Sequence, residues 1–203
     1  MLADRETAFA ALVARAQACT RCARMAGRRR VLGPGNGPPD ARLLFVAEAP
    51  GRFGGDRTAV PLHGDRSGAT FAYLLAAAGL ERTQVFVTNA VLCNPRDAAG
   101  RNARPTPAEL RNCSAHLAAQ IAVIDPPWVV ALGHTALRAL ALLAPHGARL
   151  AADVGRPRPW YGRWLVPLYH PGPRALIRRP LAAQVEDYRE LARLVVAEPD
   201  ATT

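Results

Sequence analysis

The sequence predicts an α/β fold, a single-domain three-layer α/β/α sandwich around a central, mainly parallel four-stranded sheet. Four short apolar runs have the character of buried strands, at 43–47, 85–89, 128–132 and 164–168. Stretches with helical spacing of apolar residues alternate with these strands, at 67–79, 106–123, 134–143 and about 181–197. The second of these begins with a capping-box pattern from Thr106 to Glu109. Strands that alternate with helices indicate a parallel sheet that is covered on both faces.

The first 40 residues precede the predicted sheet. Residues 4–18 carry apolar side chains at helical spacing, so we expect a helix that leads into Cys19. A basic connection rich in glycine and proline follows, over 28–39. Since the sequence shows neither an internal repeat nor a second domain, we predict one domain over 1–203. Its first part, 1–40, holds the helix, the Cys-x-x-Cys segment and the basic connection.

The composition favours a polyanionic partner. The chain has 203 residues and a formal net charge of +10. All 26 of its basic residues are arginine, and the guanidinium group makes fork-shaped contacts with phosphate. We therefore predict a polyanion, such as nucleic acid, as the partner. A generally basic protein without a nucleic-acid partner is the alternative.

The N-terminal sequence and the hydropathy pattern predict a cytoplasmic protein. Asp4 and Glu6 lie where a signal peptide would have its apolar core, and no uninterrupted apolar run approaches membrane-spanning length. We expect a monomer that associates with the nucleoid. Disulfides are rare in the cytoplasm, so a Cys-x-x-Cys segment there indicates metal or redox chemistry.

Four cysteines predict a metal centre, namely Cys19, Cys22, Cys93 and Cys113. The first two can bind one centre from a single turn, whereas nineteen residues lie between the last two. Zinc and an iron–sulfur cluster both accept four thiolates. Zinc sites usually have two closely spaced pairs, so the wide second pair favours a [4Fe–4S] cluster. Four unrelated buried thiols are the alternative.

Polar residues follow the predicted strands at the edge of the sheet where ligands bind. The segment Ala47-Glu48-Ala49-Pro50-Gly51 follows the first strand, and Asn89 ends the second. The segment Tyr169-His170-Pro171-Gly172-Pro173 follows the fourth strand. Because the carboxyl ends of parallel strands meet at one edge of the sheet, we expect these segments to form one site.

These segments resemble the motifs of the iron–sulfur uracil-DNA glycosylases. The matching segments come in the order found in that superfamily, at 43–51 with 55–58 and 64–68, then 88–95, 130–133 and 170–173. Together with the cysteine pattern, the resemblance runs from about Cys19 to the C-terminal helix. It implies a DNA-repair enzyme that hydrolyses the N-glycosidic bond of uracil in DNA, leaves an abasic site and carries a [4Fe–4S] cluster.

The chain resembles two families of that superfamily at once. Glu48, in Glu-Ala-Pro-Gly, is similar to family 4. The loop that contains the inserted Asp65 resembles family 5, whose members lack a polar residue at the Glu48 position and accept several deaminated bases. Two residues depart from the superfamily pattern. Leu62 stands where relatives have a phenylalanine that stacks on uracil, and Gly172 replaces the serine of a motif usually written His-Pro-Ser.

Cleavage of an N-glycosidic bond builds positive charge on the sugar and negative charge on the departing base. The base must also leave the helical stack and enter a pocket. His170 is suited to donate a hydrogen bond to the developing oxyanion, and Asn89 offers the donor and the acceptor that reading a flipped pyrimidine requires. Glu48 and Asp65 compete as the carboxylate that orients the attacking water. Since the chain contains no lysine to form a Schiff base with the sugar, we predict a monofunctional enzyme.

The remaining candidate residues surround the predicted base pocket. Pro50 and Gly51 allow the backbone to approach the base closely. Phe53 and Leu62 are the candidates for covering the face of the base. We expect contacts with DNA from four further residues, Arg66, Gly172, Arg174 and Arg178.

Alternatives are open for single residues and for the whole protein. Asn89 has a structural alternative as the cap of its loop, and Glu48 or Asp65 as a helix cap or an ion-pair partner of arginine. Phe53 is equally compatible with a position in the core. For the whole protein, the alternatives are a glycosylase that prefers hypoxanthine or xanthine, and a non-catalytic metal-containing module that binds nucleic acid.

Overall fold

The computed structural model describes residues 2–197, and its centre is one five-stranded sheet. In chain order the strands are β1 (Leu43–Ala47), β2 (Val85–Asn89), β3 (Trp128–Leu132), β4 (Arg158–Trp160) and β5 (Arg163–Leu168). They lie side by side in the order β2-β1-β3-β5-β4. All neighbouring strands are parallel except β4 and β5, which are antiparallel. The α/β class with a mainly parallel sheet is confirmed, and the count of four strands is wrong.

The strand missing from the sequence-based prediction is β4, a three-residue edge strand. It pairs with β5 in a hairpin whose two loop residues, Tyr161 and Gly162, have φ angles of 53° and 71°. Two successive residues with positive φ form the tight turn that fits the twist of a hairpin. Because β4 is so short and contains Pro159, its sequence has neither the length nor the alternation that marks a strand.

Eight α-helices are present among the described residues. They are α1 (Leu2–Gln17), α2 (Gly55–Thr58), α3 (Arg66–Ala77), α4 (Pro107–Ile124), α5 (His134–Ala141), α6 (Leu150–Asp153), α7 (Pro173–Leu176) and α8 (Leu181–Ala197). The capping box predicted at the start of α4 is confirmed. Thr106 Oγ1 accepts a hydrogen bond from the Glu109 backbone N–H over 3.2 Å, and the Glu109 carboxylate accepts one from the Thr106 N–H over 2.7 Å.

Alternate residues of the strands face two separate hydrophobic layers. Leu44 and Val46 pack with α1, α4 and α5 on one face of the sheet. Phe45 and Val87 pack with α3 and α8 on the other face, where the Phe45 ring lies 5.2 Å from that of Phe71. Since successive side chains of a strand point to opposite faces, the unbroken apolar runs are buried on both sides. The predicted three-layer sandwich is confirmed.

The strand order places a crevice at the carboxyl end of β1. The chain continues from β1 to β2 on one side and later to β3 on the other side, which is where open α/β sheets bind ligands. Glu48 directly follows β1, Asn89 ends β2, Gly133 follows β3 and His170 comes two residues after β5. The loops that were predicted to form a site therefore lie at one edge of the sheet.

No helix within residues 2–197 is long and apolar enough to cross a membrane. Met1 and residues 198–203 lie outside the described residues, so the domain range 1–203 stays a prediction. The monomeric state and the cytoplasmic location stay predictions as well.

Candidate active site and four-cysteine cavity

His170 is held by a hydrogen bond from the backbone of its own loop. The Gly172 N–H donates to Nδ1 of the imidazole over 2.9 Å. Since Nδ1 accepts this bond, the neutral ring carries its hydrogen on Nε2. The arrangement leaves Nε2–H as a hydrogen-bond donor.

The surroundings of His170 favour a neutral imidazole. Burial lowers the pKa of His170, and the negative charges of Glu48 and Asp65 act in the opposite direction. Because the lowering prevails, the ring is neutral at neutral pH, as its hydrogen bond from Gly172 also requires. Both carboxylates are close enough to affect this ring, so the structure brings together His170, Glu48 and Asp65.

Glu48 is oriented by a residue from the neighbouring strand–helix connection. Its Oε2 accepts a hydrogen bond of 2.5 Å from Oγ1 of Thr135, which lies in the first turn of α5. No hydrogen bond to the other carboxylate oxygen is found within residues 2–197, so Oε1 is available to a ligand. Thr135 was not predicted from the sequence. The sequence feature that could have indicated Thr135 is its position just after β3, the strand next to β1.

Asp65 caps α3, as one of its structural alternatives proposed. Its Oδ1 accepts a hydrogen bond of 2.9 Å from the Gly68 backbone N–H. Its Oδ2 lies against the loop that follows β1, because a Cβ on Gly51 would come within 2.7 Å of this oxygen and one on Gly54 would also clash with it. The close approach therefore requires glycine at both positions. Among the described ion pairs, none joins Glu48 or Asp65 to an arginine.

The side chain of Asn89 is buried and unpaired. It is 2% exposed, and its Nδ2 has no hydrogen-bond partner in the described part of the chain. An unpaired buried donor costs about 1–3 kcal/mol. No hydrogen bond from this amide to its own loop is described, so the capping alternative gains no support. A buried amide without a protein partner indicates a place where a ligand supplies the acceptor.

The backbone around Pro50 is fixed by two asparagines. Asn94, which is 1% exposed, donates from Nδ2 to the Pro50 carbonyl over 2.6 Å and to Asn102 Oδ1 over 3.1 Å. The same oxygen of Asn102 accepts a hydrogen bond of 3.0 Å from the Arg52 backbone N–H. These bonds hold the loop at Pro50 and Gly51 in one conformation. Neither asparagine was predicted from the sequence to have this role.

Phe53 and Leu62 have different environments. Phe53 is 61% exposed, and the Arg52 guanidinium lies 4.3 Å from its ring centroid, so the alternative that placed Phe53 in the core is wrong. Leu62 is half-buried against the hydrophobic layer that contains Phe71. Its φ of 48° is unusual for a residue other than glycine. The backbone at Leu62 is therefore strained, and packing of its side chain helps to hold it.

Gly172 has no room for a side chain beside His170. A Cβ at this position would lie 2.9 Å from His170 Nδ1 and 3.2 Å from Oγ of Ser67 in the first turn of α3. The serine of the His-Pro-Ser motif would therefore displace its neighbours here. Instead, the hydroxyl of Ser67 lies next to the position that this serine would occupy.

The loop after His170 exposes basic and apolar side chains. Arg174, Arg178 and Arg66 are exposed, whereas the Arg179 guanidinium is paired with Asp187 over 2.5 Å. Between the exposed arginines stands Ile177, which is 82% exposed. Ile177 was not predicted from the sequence, because the exposure of a single apolar residue produces no sequence pattern.

The four cysteines line one cavity of about 130 Å³. Cys19 and Cys22 come from the segment after α1, Cys93 from the loop after β2 and Cys113 from α4. All four are free, partly buried thiols. Within residues 2–197, no three side chains of the metal-binding types lie close enough together to hold a single metal ion.

The walls of this cavity suit sulfur that is bound to a metal. The Leu92 backbone N–H donates to Cys113 Sγ over 3.4 Å, and Asn112 Nδ2 donates to Cys22 Sγ over 3.5 Å. Burial raises the pKa of the Cys93 thiol to about 11 and that of Cys113 to about 12. Without a bound cation these two thiols therefore stay protonated, whereas a metal centre would stabilise their thiolate forms. The four cysteines fit a shared cluster in the cavity.

The chain matches a known protein family over most of its length. The family model described as the Uracil DNA glycosylase superfamily matches residues 34–192. The chain belongs to this superfamily. The matched segment includes every strand of the sheet and the residues around His170.

Relatives of two types within the superfamily resemble this chain. A type-4 uracil-DNA glycosylase of Thermotoga maritima is 35% identical over 170 residues, which cover 82% of this chain and 83% of the relative. A type-5 uracil-DNA glycosylase of Thermus thermophilus is 36% identical over an alignment of 200 residues with its gaps. This alignment covers 82% of this chain and 86% of the relative. A type-4 uracil-DNA glycosylase of Sulfurisphaera tokodaii is 30% identical, and the alignment covers 80% of this chain and 74% of the relative. The expected hybrid of family 4 and family 5 features is confirmed.

Two carboxylates, Glu48 and Asp65, affect the pKa of the same histidine, His170. They differ in what they do for the fold. Asp65 uses one oxygen to cap α3, whereas Glu48 is oriented by the side chain of Thr135.

Proposed function

We propose that this superfamily member removes uracil from DNA by hydrolysing the N-glycosidic bond, which leaves an abasic site. The observation that carries the proposal is the buried, unpaired amide of Asn89 at the crevice. Uracil presents O4 as an acceptor and N3–H as a donor, and one asparagine amide matches both. The names of the relatives, which are uracil-DNA glycosylases of types 4 and 5, support the same substrate.

His170 stabilises the departing base in this proposal. As the bond between the sugar C1′ and uracil N1 breaks, its electron pair moves to the base and negative charge grows on O2. Nε2–H of His170 is the donor left for this oxygen, since Nδ1 is engaged by Gly172.

Glu48 positions the water that attacks C1′. The bond from Thr135 fixes one oxygen of Glu48 and leaves the other for water. As the water oxygen bonds to C1′, its proton passes to this carboxylate. Asp65 is the weaker candidate because one of its oxygens caps α3 and the other lies against Gly51 and Gly54. Asp65 instead maintains the loop that faces the base.

The role of Thr135 gives a testable prediction. A Thr135→Val change keeps the shape of the side chain and removes the hydroxyl that holds Glu48. We expect single-turnover excision of uracil to fall about tenfold, equivalent to about 1.4 kcal/mol in the barrier. Thr135→Ser retains the hydroxyl and should keep most of the rate. Equal rates for the valine variant and the wild type would contradict the orientation of Glu48 by Thr135.

DNA binding involves the exposed surface beside His170. Arg174, Arg178 and Arg66 contact phosphates of the bound duplex. Ile177 enters the gap that the flipped nucleotide leaves, because an exposed apolar side chain between arginines gains burial in that position. The enzyme is monofunctional, since the chain offers no lysine to form a Schiff base with the sugar.

The four cysteines hold a [4Fe–4S] cluster in this proposal. Such a cluster supplies cross-links between the segment after α1, the β2 loop and α4. Protein purified without oxygen is expected to be brown and to contain about four irons per chain. Cys93→Ala should lower the melting temperature strongly and the rate of uracil excision only slightly. A colourless protein with stoichiometric zinc, measured by elemental analysis, would contradict the cluster.

A panel of duplexes and single strands, each with one deaminated base, tests the proposed substrate. Each strand is incubated with excess enzyme, and abasic sites are then cleaved with alkali. We expect release of uracil. Hypoxanthine and xanthine belong in the panel because Leu62 is aliphatic, and loss of an aromatic partner removes about 1–3 kcal/mol of stacking on a base. Excision of hypoxanthine but not uracil would contradict the substrate, and no excision at all would favour a module that only binds DNA.

A further inference from the structure

A buried histidine beside the four-cysteine cavity has a ring nitrogen without a partner. His116 lines this cavity and is 5% exposed. Its Nε2 is buried and has no hydrogen-bond partner among residues 2–197. Such an unpaired nitrogen costs about 1–3 kcal/mol. The cost is removed if the cavity contains a group that accepts a hydrogen bond.

The position of His116 on α4 brings it close to a cluster ligand. It follows Cys113 by three residues, and side chains with this spacing lie on the same face of a helix. Two neighbours already donate to cysteine sulfur, Leu92 to Cys113 and Asn112 to Cys22. Nε2 of His116 would add a third N–H donor to the sulfur-lined wall.

Other charged groups of the same wall are already engaged. Glu109 accepts hydrogen bonds from Arg24, at 2.8 Å for one of its oxygens and 2.5 Å for the other. Arg30 donates to the backbone carbonyls of Cys19 and Arg28. Nε2 of His116 differs from these charged groups, because no described residue supplies its hydrogen-bond partner.

We propose that Nε2–H of His116 donates a hydrogen bond to a sulfur of the [4Fe–4S] cluster and thereby tunes it. The inference rests on the proposed cluster and assigns His116 a positioning role, with the four cysteines as ligands. A hydrogen bond draws electron density from sulfur and weakens the adjacent iron–sulfur bond. It also stabilises the reduced cluster, which has the more negative charge, and so raises the reduction potential.

Two variants separate the hydrogen bond from the packing of the ring. His116→Phe fills the space without a donor, and His116→Gln places an amide N–H near the position of Nε2. Both are purified without oxygen, their iron is counted, and their iron–sulfur stretching frequencies and reduction potentials are measured. We expect the phenylalanine variant to keep its iron, with higher stretching frequencies and a lower potential. If the bond changes the ratio of reduced to oxidised cluster tenfold, the potential falls by about 59 mV. The glutamine variant should stay close to the wild type.

Three other outcomes would overturn the inference, each in a distinct way. If the phenylalanine variant keeps its iron and has wild-type frequencies and potential, His116 makes no hydrogen bond to the cluster. Loss of iron from both variants would mean that His116 is needed to retain the cluster rather than to tune it. If the wild-type protein holds zinc, the proposed cluster and this inference are both wrong. Uracil excision is assayed separately, so a wild-type protein with a tuned cluster but no excision contradicts the proposed function and leaves the inference intact.

Discussion

Replacing His170 by alanine is expected to lower single-turnover excision of uracil by on the order of a hundredfold or more. The reason is the loss of Nε2–H, the donor that the bond from Gly172 leaves for the developing negative charge on the base. Donors aimed at such a charge in a water-poor site commonly contribute this much to the rate. Binding to an abasic duplex should survive, because the exposed arginines that contact DNA are unchanged. The rate is measured with enzyme in excess over a uracil-containing duplex.

The pH dependence gives an independent readout for His170. Burial lowers its pKa below the usual value of 6.5, so the ring is neutral at pH 6.5 and above and becomes charged only at lower pH. Protonation of Nδ1 breaks the bond from Gly172, so the wild-type rate should fall only below pH 6.5. The part of this fall that comes from the imidazole should be absent in the alanine variant. His170→Gln keeps a donor and should recover part of the rate. Unchanged excision by the alanine variant would remove His170 from the mechanism.

Replacing Asn89 by aspartate is expected to abolish most uracil excision. The change puts an acceptor in place of Nδ2, opposite uracil O4, which is also an acceptor. Two acceptors facing each other in a buried site typically cost a few kcal/mol, or on the order of a hundredfold in rate. Cytosine has an exocyclic amine at that edge, so the variant should gain a trace of activity on cytosine. Single-turnover rates on matched uracil and cytosine duplexes measure both effects.

Asn89→Ala is the control for this substitution. It removes the donor and the acceptor together, so it should lose activity on uracil without any gain on cytosine. Melting temperatures show whether the buried position tolerates both changes. Equal uracil rates for the aspartate variant and the wild type would mean that Asn89 does not contact the base.

The sheet was predictable where burial alone determines the sequence. The strands at 43–47, 85–89 and 128–132 have the predicted bounds because strands covered on both faces read as continuous apolar runs. β4 was not predictable, because an edge strand of three residues owes its conformation to pairing with β5 rather than to its own composition. The edge of the sheet that carries the site was predictable because the carboxyl ends of parallel strands meet at one edge.

Individual roles in the site depended on contacts between distant segments. The sequence offered Glu48 and Asp65 as equivalent carboxylates, and only the fold showed that Asp65 caps α3 while Thr135 orients Glu48. The sequence also left open whether Phe53 lies in the core or at the surface. Its exposure in the structure shows that it lies at the surface. Thr135 escaped notice because a threonine in the first turn of a helix is ordinary until a carboxylate lies beside it.

Excision of uracil by the iron-loaded wild-type protein tests the central claim most directly. Free uracil and the abasic strand are quantified by mass spectrometry, with a thymine-containing duplex and the His170→Ala variant as controls. We expect one free uracil for each abasic strand and no cleavage of the backbone. Intact uracil-containing DNA after prolonged incubation with iron-loaded protein would contradict the proposal that this protein is a hydrolytic uracil-DNA glycosylase.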